Sequence, residues 1–308
     1  MATSNHPGSD ATGLETRCRE IAVRARRAAI DLAAVPGDRK AACLRAAAAA
    51  IRADVAEILA ANRLDLAAAP GFGLSEAAVD RLALDAKRVE GIAAGVEAVA
   101  GLPDPVGEVI EETTRPTGLI VRRVRVPLGV VFFIYESRPN VTADAAAVAL
   151  AAGNAIILRG GKEAAHSSGR IVESMRRAIA ASGLPVDCVQ LVDTADRAAV
   201  GAFLRMDDLV DLVIPRGGEP LIRRVCSEAR MPVLKHFTGN CHVYVDRAAD
   251  LAMAKSITVN AKCQRMGVCN AAESLLVHRD VADRFLPDVA AALGAHAVEI
   301  VGPRNSVA

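Results

Sequence analysis

The chain has 308 residues, more than one typical domain holds, so one large or two medium domains are expected. Hydrophobic residues make up 52% while aromatics supply only 3% and Trp is absent, which requires an aliphatic core of Ala, Val, Leu and Ile. Lys plus Arg number 37 against 36 Asp plus Glu, a balance that gives no reason to bind nucleic acid or an anionic membrane.

Residues 1–13, MATSNHPGSDATG, read as a disordered lead with no apolar stretch able to enter a membrane. A helix is expected over 14–34, ending before Pro36-Gly37. Asp38 is placed to cap a second helix running to about residue 66; its recurring Arg, Asp and Glu mark an amphipathic helix rather than a membrane span. Pro70-Gly71-Phe72-Gly73 breaks the pattern, Ser75 opens a third helix with Glu76 in its first turn, and Pro103 and Pro105 close the helical region.

The texture then changes. GLIVRRVRVPLGVVFFIYE (118–136) alternates and is β-branched, which predicts a strand, a turn at Pro-Leu-Gly and a buried strand. Helices are expected over 140–152, 163–182, 195–205, 218–229, 248–261 and 281–294. Between and after them, strands are expected over 155–159, 188–193, 209–215, 232–237, 242–246, 274–278 and 298–302. Short apolar strands alternating with amphipathic helices predict an α/β fold with a doubly wound parallel sheet, whose ligands lie at the strands' C-terminal ends.

Several signatures are absent from the sequence. No G-x-G-x-x-G opens a helix after a strand, and GGK at 160–162 fails the P-loop pattern because Glu163 stands where Ser or Thr is needed. There is no H-E-x-x-H, and Cys241-His242 is too isolated for a zinc site, so no metal is expected. The seven cysteines (18, 43, 188, 226, 241, 263 and 269) are scattered, odd in number and lack C-x-x-C, which suits reduced thiols in a cytoplasmic compartment.

Four junctions carry chemistry. In YESRPNVTAD (135–144), Asn140 is either a helix cap or an amide donor of the kind an oxyanion hole uses. LRGGKEAAHSS (158–168) sets Arg159, Gly160, Gly161 and Lys162 between a strand and a helix, as an ordinary turn or as a phosphate-binding one. VIPRGGEPLIRRV (213–225) repeats the arrangement with Arg216, Gly217 and Gly218. In NAKCQRMGVCNAAESLLVH (260–278), Lys262, Arg265 and the amides around Gly267 approach Cys269, which is expected to open a short helical turn and gain thiolate character. Cys263 falls at a helix C-terminus, where the dipole opposes a thiolate, so Cys269 is favoured as nucleophile; the alternative makes both cysteines small core residues.

Taken together, RVPLGVVFFIYESRPNVTADAAAVALAAGNAIILRGGKEAAHSS, DLVIPRGGEPLIRRV, GNCHVYVDRAADL and the Cys269 stretch resemble the γ-glutamyl phosphate reductases, a branch of the aldehyde dehydrogenase superfamily. The resemblance runs almost continuously over residues 118–278 in family order. It implies an aldehyde-dehydrogenase-like fold, with a Rossmann-type cofactor domain and an α/β catalytic domain. It also implies an NADPH-dependent enzyme of proline biosynthesis, reducing L-glutamyl 5-phosphate to glutamate 5-semialdehyde with release of phosphate. Cys269 matches the family's nucleophile, and Asn140 matches the oxyanion amide that acts with the Cys269 backbone N–H. Arg159, Gly160 and Lys162 fall where relatives contact the adenosine ribose, and the basic Lys162 suits the 2′-phosphate of NADP. Gly217 and Gly218 fall near the cofactor's phosphates or nicotinamide, and the position of Arg265 suits the substrate phosphate. Hydrolytic relatives carry a glutamate base where LKHFTGN has His236, and its absence suits an enzyme that must not hydrolyse a thioester; His236 itself is given no role.

Family members continue beyond the point where this sequence ends. The expected layout is therefore a lead over 1–13, a helical region and NADP-binding domain over 14–238, and an incomplete catalytic domain over 239–308 lacking the family's oligomerisation segment. The partner implied is a small-molecule substrate, with no nucleic acid and no membrane. Two alternatives stand beside this reading: a weakly active or inactive homologue retaining only cofactor or partner binding, and a reductase of another acyl phosphate or acyl-CoA.

Overall fold

The computed structural model describes residues 7–235, 239–266 and 268–302, with side chains from residue 13 onward. The chain forms two compact units, Met1–His236 and Phe237–Ala308. No helix among the described residues is long and apolar enough to cross a membrane.

The larger unit opens with α1 (Pro7–Ala33), α2 (Gly37–Ala53), α3 (Val55–Ala68), α4 (Glu76–Leu82) and α5 (Ala86–Ala100). The lead expected to be disordered is helical from Pro7, because α1 buries Cys18, Ala22, Ala25, Ala29 and Leu32 at helical spacing against the core. Asp38 is no cap: it lies in the first turn of α2, which Pro36 precedes. The long second helix is two, broken at Asp54, whose carboxylate is drawn out to Ser174, Arg170 and Arg177. Ser75 does cap α4, accepting from the Ala78 N–H at 3.3 Å.

Next come β1 (Val109–Thr114) and β2 (Ile120–Val124), an antiparallel hairpin exposed along its whole length. Then β3 (Val130–Tyr135), α6 (Pro139–Ala151), β4 (Ala155–Arg159), α7 (Ala165–Ala181), β5 (Val189–Leu191), α8 (Ala198–Phe203), β6 (Leu212–Arg216) and α9 (Glu219–Glu228) alternate. The four strands β3 to β6 form a parallel sheet in the order β5-β4-β3-β6. β3 and β4 are buried almost throughout, as a parallel strand covered on both faces must be. The strand expected over 232–237 reduces to a single bridge, Val233 to Val213, and residues 236 and 237 lie outside the described residues.

The smaller unit is β7 (His242–Val245), α10 (Leu251–Cys263), β8 (Ser274–Val277) and α11 (Arg279–Gly294). Its two strands are parallel, with His242 opposite Ser274 and Val245 opposite Val277. Val245, Ala254, Val281, Phe285, Val289 and Leu293 make its core. The strand expected over 298–302 does not form; among the described residues no strand pairs with that segment, and Val298 N–H bonds instead to the Leu293 carbonyl at 3.2 Å.

Candidate active site

The sheet order places the first strand, β3, beside the fourth, β6, so the chain reverses direction across the sheet between them. In such sheets the crevice at that reversal, beyond the C-terminal ends of the strands, receives ligands. Register keeps those ends level: Ile134 stands opposite Arg159 and Tyr135 opposite Arg216. The two Arg-Gly-Gly turns therefore flank the Tyr135-Glu136-Ser137 segment, one on each side.

Gly160 and Gly217 sit in close quarters. A Cβ on Gly160 would meet the Tyr135 ring at 3.1 Å, and one on Gly217 would lie 2.9 Å from Leu221 Cδ2 and 3.0 Å from Glu136 Oε1. Glu136 Oε1 accepts from the Gly218 N–H at 2.9 Å, and Ser137 Oγ donates to Glu163 Oε2 at 2.5 Å. Arg159 folds back on the backbone, donating to the carbonyls of Gly160 at 3.2 Å and Ala195 at 3.1 Å, while its buried Nε has no partner. Burial lowers the Arg159 pKa, with Glu163 opposing. Lys162 is exposed and rests 4.8 Å from the centroid of Phe72. Tyr135 is buried, its hydroxyl 2.7 Å from Thr142 Oγ1, and burial pushes that phenol's pKa up.

Asn140 is the second residue of α6; Arg138 occupies the cap position, so the capping alternative for Asn140 does not hold. Its side chain is exposed and donates to Asp144 Oδ2 at 3.0 Å. One amide N–H remains for another acceptor. Burial raises the Asp144 pKa, with the hydrogen bond from Asn140 opposing.

In the smaller unit, Cys269 is the one exposed thiol of the seven. Burial raises the thiol pKa values of Cys18 and Cys43 and pushes Cys188 up to about 12. Cys263 is the last residue of α10 and packs against the Phe285 cluster. Cys269 sits in a turn closed by Ala271 N–H to the Val268 carbonyl, 3.2 Å, and no helix starts there. The expected helix N-terminus at Cys269 is thus absent: Ala272 N–H bonds back to Ala261 O at 2.9 Å, and the chain turns directly into β8. This turn precedes β8 rather than following a strand's C-terminal end. Arg265 is exposed four positions earlier, and Gly267 lies outside the described residues, as does His236.

Sequence reasoning missed Cys241. Its Sγ–H donates to the carbonyl of Cys269 at 3.4 Å, a pairing across 28 positions with no motif to announce it. A cavity of about 270 Å³ lies elsewhere, beside α2 and α5, with Lys40 and Asp104 (3.0 Å apart) in its wall. Ala151, the last residue of α6 before the chain enters β4, places it toward the N-terminal ends of the strands.

The aldehyde dehydrogenase family profile matches residues 8–301. A γ-glutamyl phosphate reductase from Rhodopirellula baltica is 53% identical over 302 residues, 97% of this chain and 70% of the relative. The chain belongs to the γ-glutamyl phosphate reductase branch of the aldehyde dehydrogenase family. A reductase of the same name from Rhizorhabdus wittichii is 56% identical over 86% of this chain and 62% of its own length. The crystal structure of γ-glutamyl phosphate reductase from Thermotoga maritima superposes with a TM-score of 0.89 at 42% identity, covering 94% of this chain and 70% of that one. The chain spans 62% to 70% of the length of the curated reductases it matches.

Aldehyde dehydrogenases use nicotinamide nucleotides, and the strand ends of the larger unit fit one. The turns at Gly160 and Gly217 are crowded by the Tyr135 ring and by the ends of Leu221 and Glu136, the crevice lies at the sheet's reversal, and Arg159 keeps a buried donor unspent.

Proposed function

We propose that this reductase-family chain carries out the NADPH-dependent reduction of L-glutamyl 5-phosphate to glutamate 5-semialdehyde and phosphate, a step of proline biosynthesis in the cytoplasm. The observation that carries the reading is 53% identity over 302 residues to a protein named for that reaction. The larger unit, on this reading, holds the cofactor and the smaller one the nucleophile. Arg159 and Lys162 hold the adenosine end, Lys162 meeting the 2′-phosphate, while the turns at Gly160, Gly217 and Gly218 let the backbone come close.

The Cys269 thiolate attacks the acyl-phosphate carbon, and the bond to the phosphate oxygen breaks as phosphate leaves. The free N–H of Asn140 and the backbone N–H of Cys269 bear the negative charge on the carbonyl oxygen during that step. When bound, NADPH supplies the hydride that converts the thioester into a thiohemiacetal. Cys269 is then expelled as thiolate while the aldehyde forms. Arg265 steadies the departing phosphate.

The test runs the reaction backwards on the whole chain: NADP reduction by glutamate 5-semialdehyde, with and without phosphate, beside direct NADPH binding. Phosphate-dependent NADP reduction is expected. NADPH binding with no turnover would reject the reductase reading in favour of a binding role. Turnover with another acyl phosphate or with acyl-CoA, and none with the glutamyl substrate, would move the specificity.

A further inference from the structure

Among the seven thiols, two touch through one another's residues: the Cys241 sulfur lies 3.4 Å from the Cys269 carbonyl oxygen. Both stand at the N-terminal end of the small parallel sheet, Cys241 immediately before β7 and Cys269 in the turn leading to β8. The approach is built in. Cys241 O accepts from the N–H groups of Glu273 at 2.9 Å and Ser274 at 3.1 Å, and Ser274 Oγ donates to Asn240 Oδ1 at 2.9 Å, so the segment carrying Cys241 is fastened beside the one carrying Cys269. Cys263, six positions from Cys269 in sequence, is partly buried and packs against the core beneath α11.

We infer that Cys241 is a resolving thiol for Cys269, and that the two close a disulfide when a hydroperoxide oxidises the exposed sulfur. A disulfide needs the two Cα atoms roughly 4.4–6.8 Å apart. Contact between the Cys241 sulfur and the Cys269 carbonyl brings the two residues together, and closing the bond requires the exposed Cys269 side chain to turn toward Cys241. In the first step the Cys269 thiolate attacks one peroxide oxygen; the S–O bond forms, the O–O bond breaks, and the departing hydroxide takes a proton to become water. In the second, the Cys241 thiolate attacks the Cys269 sulfur; the S–S bond forms, the S–O bond breaks, and hydroxide leaves with the Cys241 proton as a second water. Two thiols are oxidised by two electrons and one hydroperoxide is reduced. If Cys269 is the nucleophile, the bond silences it reversibly and shields it from irreversible sulfinic acid. The pairing itself rests on the Cys241–Cys269 contact and not on that role.

The test treats the reduced full chain with hydrogen peroxide at low protein concentration, alkylates it, digests it with trypsin and reads peptide masses. Cleavage separates the three thiols, Cys241 into 236–247, Cys263 into 263–265 and Cys269 into 266–279. The expected product is the linked 236–247 and 266–279 pair, with loss of both free peptides and full return on adding dithiothreitol. Cys263→Ser should leave that link intact. Cys241→Ser should abolish it and send Cys269 to a sulfinic acid that dithiothreitol does not reverse. A Cys263–Cys269 link, a link between two chains, or sulfinic Cys269 with alkylated Cys241 in the unaltered chain would each overturn the inference. These masses are read without turnover, so failure here and failure of the reductase reading are separate results.

Discussion

Asp65→Ala is the substitution whose consequence runs furthest from a single side chain to the cofactor turn. Asp65 lies on α3 and is 2% exposed, yet it caps a helix a hundred positions away. Its carboxylate accepts from the backbone N–H groups of His166 at 3.1 Å and Ser167 at 2.8 Å, and from Ser167 Oγ at 2.5 Å. Ala164, the residue that precedes α7, offers no side-chain acceptor of its own. Losing an N-cap costs about 0.5–2 kcal/mol, and stranding a second buried donor adds about 1–3 kcal/mol. The expected loss is therefore about 3 kcal/mol, roughly a hundredfold in the folding equilibrium. Urea unfolding followed by far-UV circular dichroism measures it, read as a fall in midpoint at unchanged slope. The Lys162–Ala164 turn joins the Gly160-Gly161 pair to α7, so the NADPH dissociation constant should rise as well. A loss below about 0.5 kcal/mol, the range of an ordinary surface change, would refute the capping argument.

Gly129→Ala should destabilise the larger unit by about 3 kcal/mol or more in the same assay, from backbone strain and lost partners. At φ +118° its Cβ would stand 2.1 Å from Asp211 Oδ2, dislodging a carboxylate that accepts from Val130 N–H at 2.7 Å and pairs with Arg26 at 2.8 Å. Timed alkylation at neutral pH should modify Cys269 first and Cys188 last, because a thiol pushed up to about 12 is ionised at roughly one part in 10⁵; earlier modification of Cys188 would contradict the burial reading. Lys162→Glu should cut the preference for NADPH over NADH by about tenfold, the value of one exposed charge-assisted contact. An unchanged ratio of dissociation constants would remove Lys162 from the 2′-phosphate.

The alternation from α6 to α9 is legible because buried parallel strands are short apolar runs and their turns are marked by glycine. The expected strand 155–159 matches β4 at both ends. What the sequence hides is tertiary. The break at Asp54 has no glycine or proline nearby; Ser174, Arg170 and Arg177 make it from α7. β1, VIEETT, buries nothing, so its period carries no core signal. The segment 298–302 has strand composition but no strand paired with it among the described residues, and composition alone does not make a ladder. At the site, the two Arg-Gly-Gly turns could be read from spacing, whereas Glu136 on the Gly218 amide and Cys241 on the Cys269 carbonyl come from the fold. The preference for Cys269 over Cys263 stands on exposure and core packing, since the helix expected to open at Cys269 is not there.

The most direct measurement compares Cys269→Ser and Cys263→Ser with the unaltered chain in phosphate-dependent NADP reduction by glutamate 5-semialdehyde, with NADPH binding recorded alongside. The account predicts that Cys269→Ser loses turnover at least a thousandfold, about 4 kcal/mol of transition-state stabilisation, and keeps its NADPH affinity, while Cys263→Ser stays within a fewfold of the unaltered chain. Equal losses from both substitutions, or turnover surviving without the Cys269 sulfur, would contradict it.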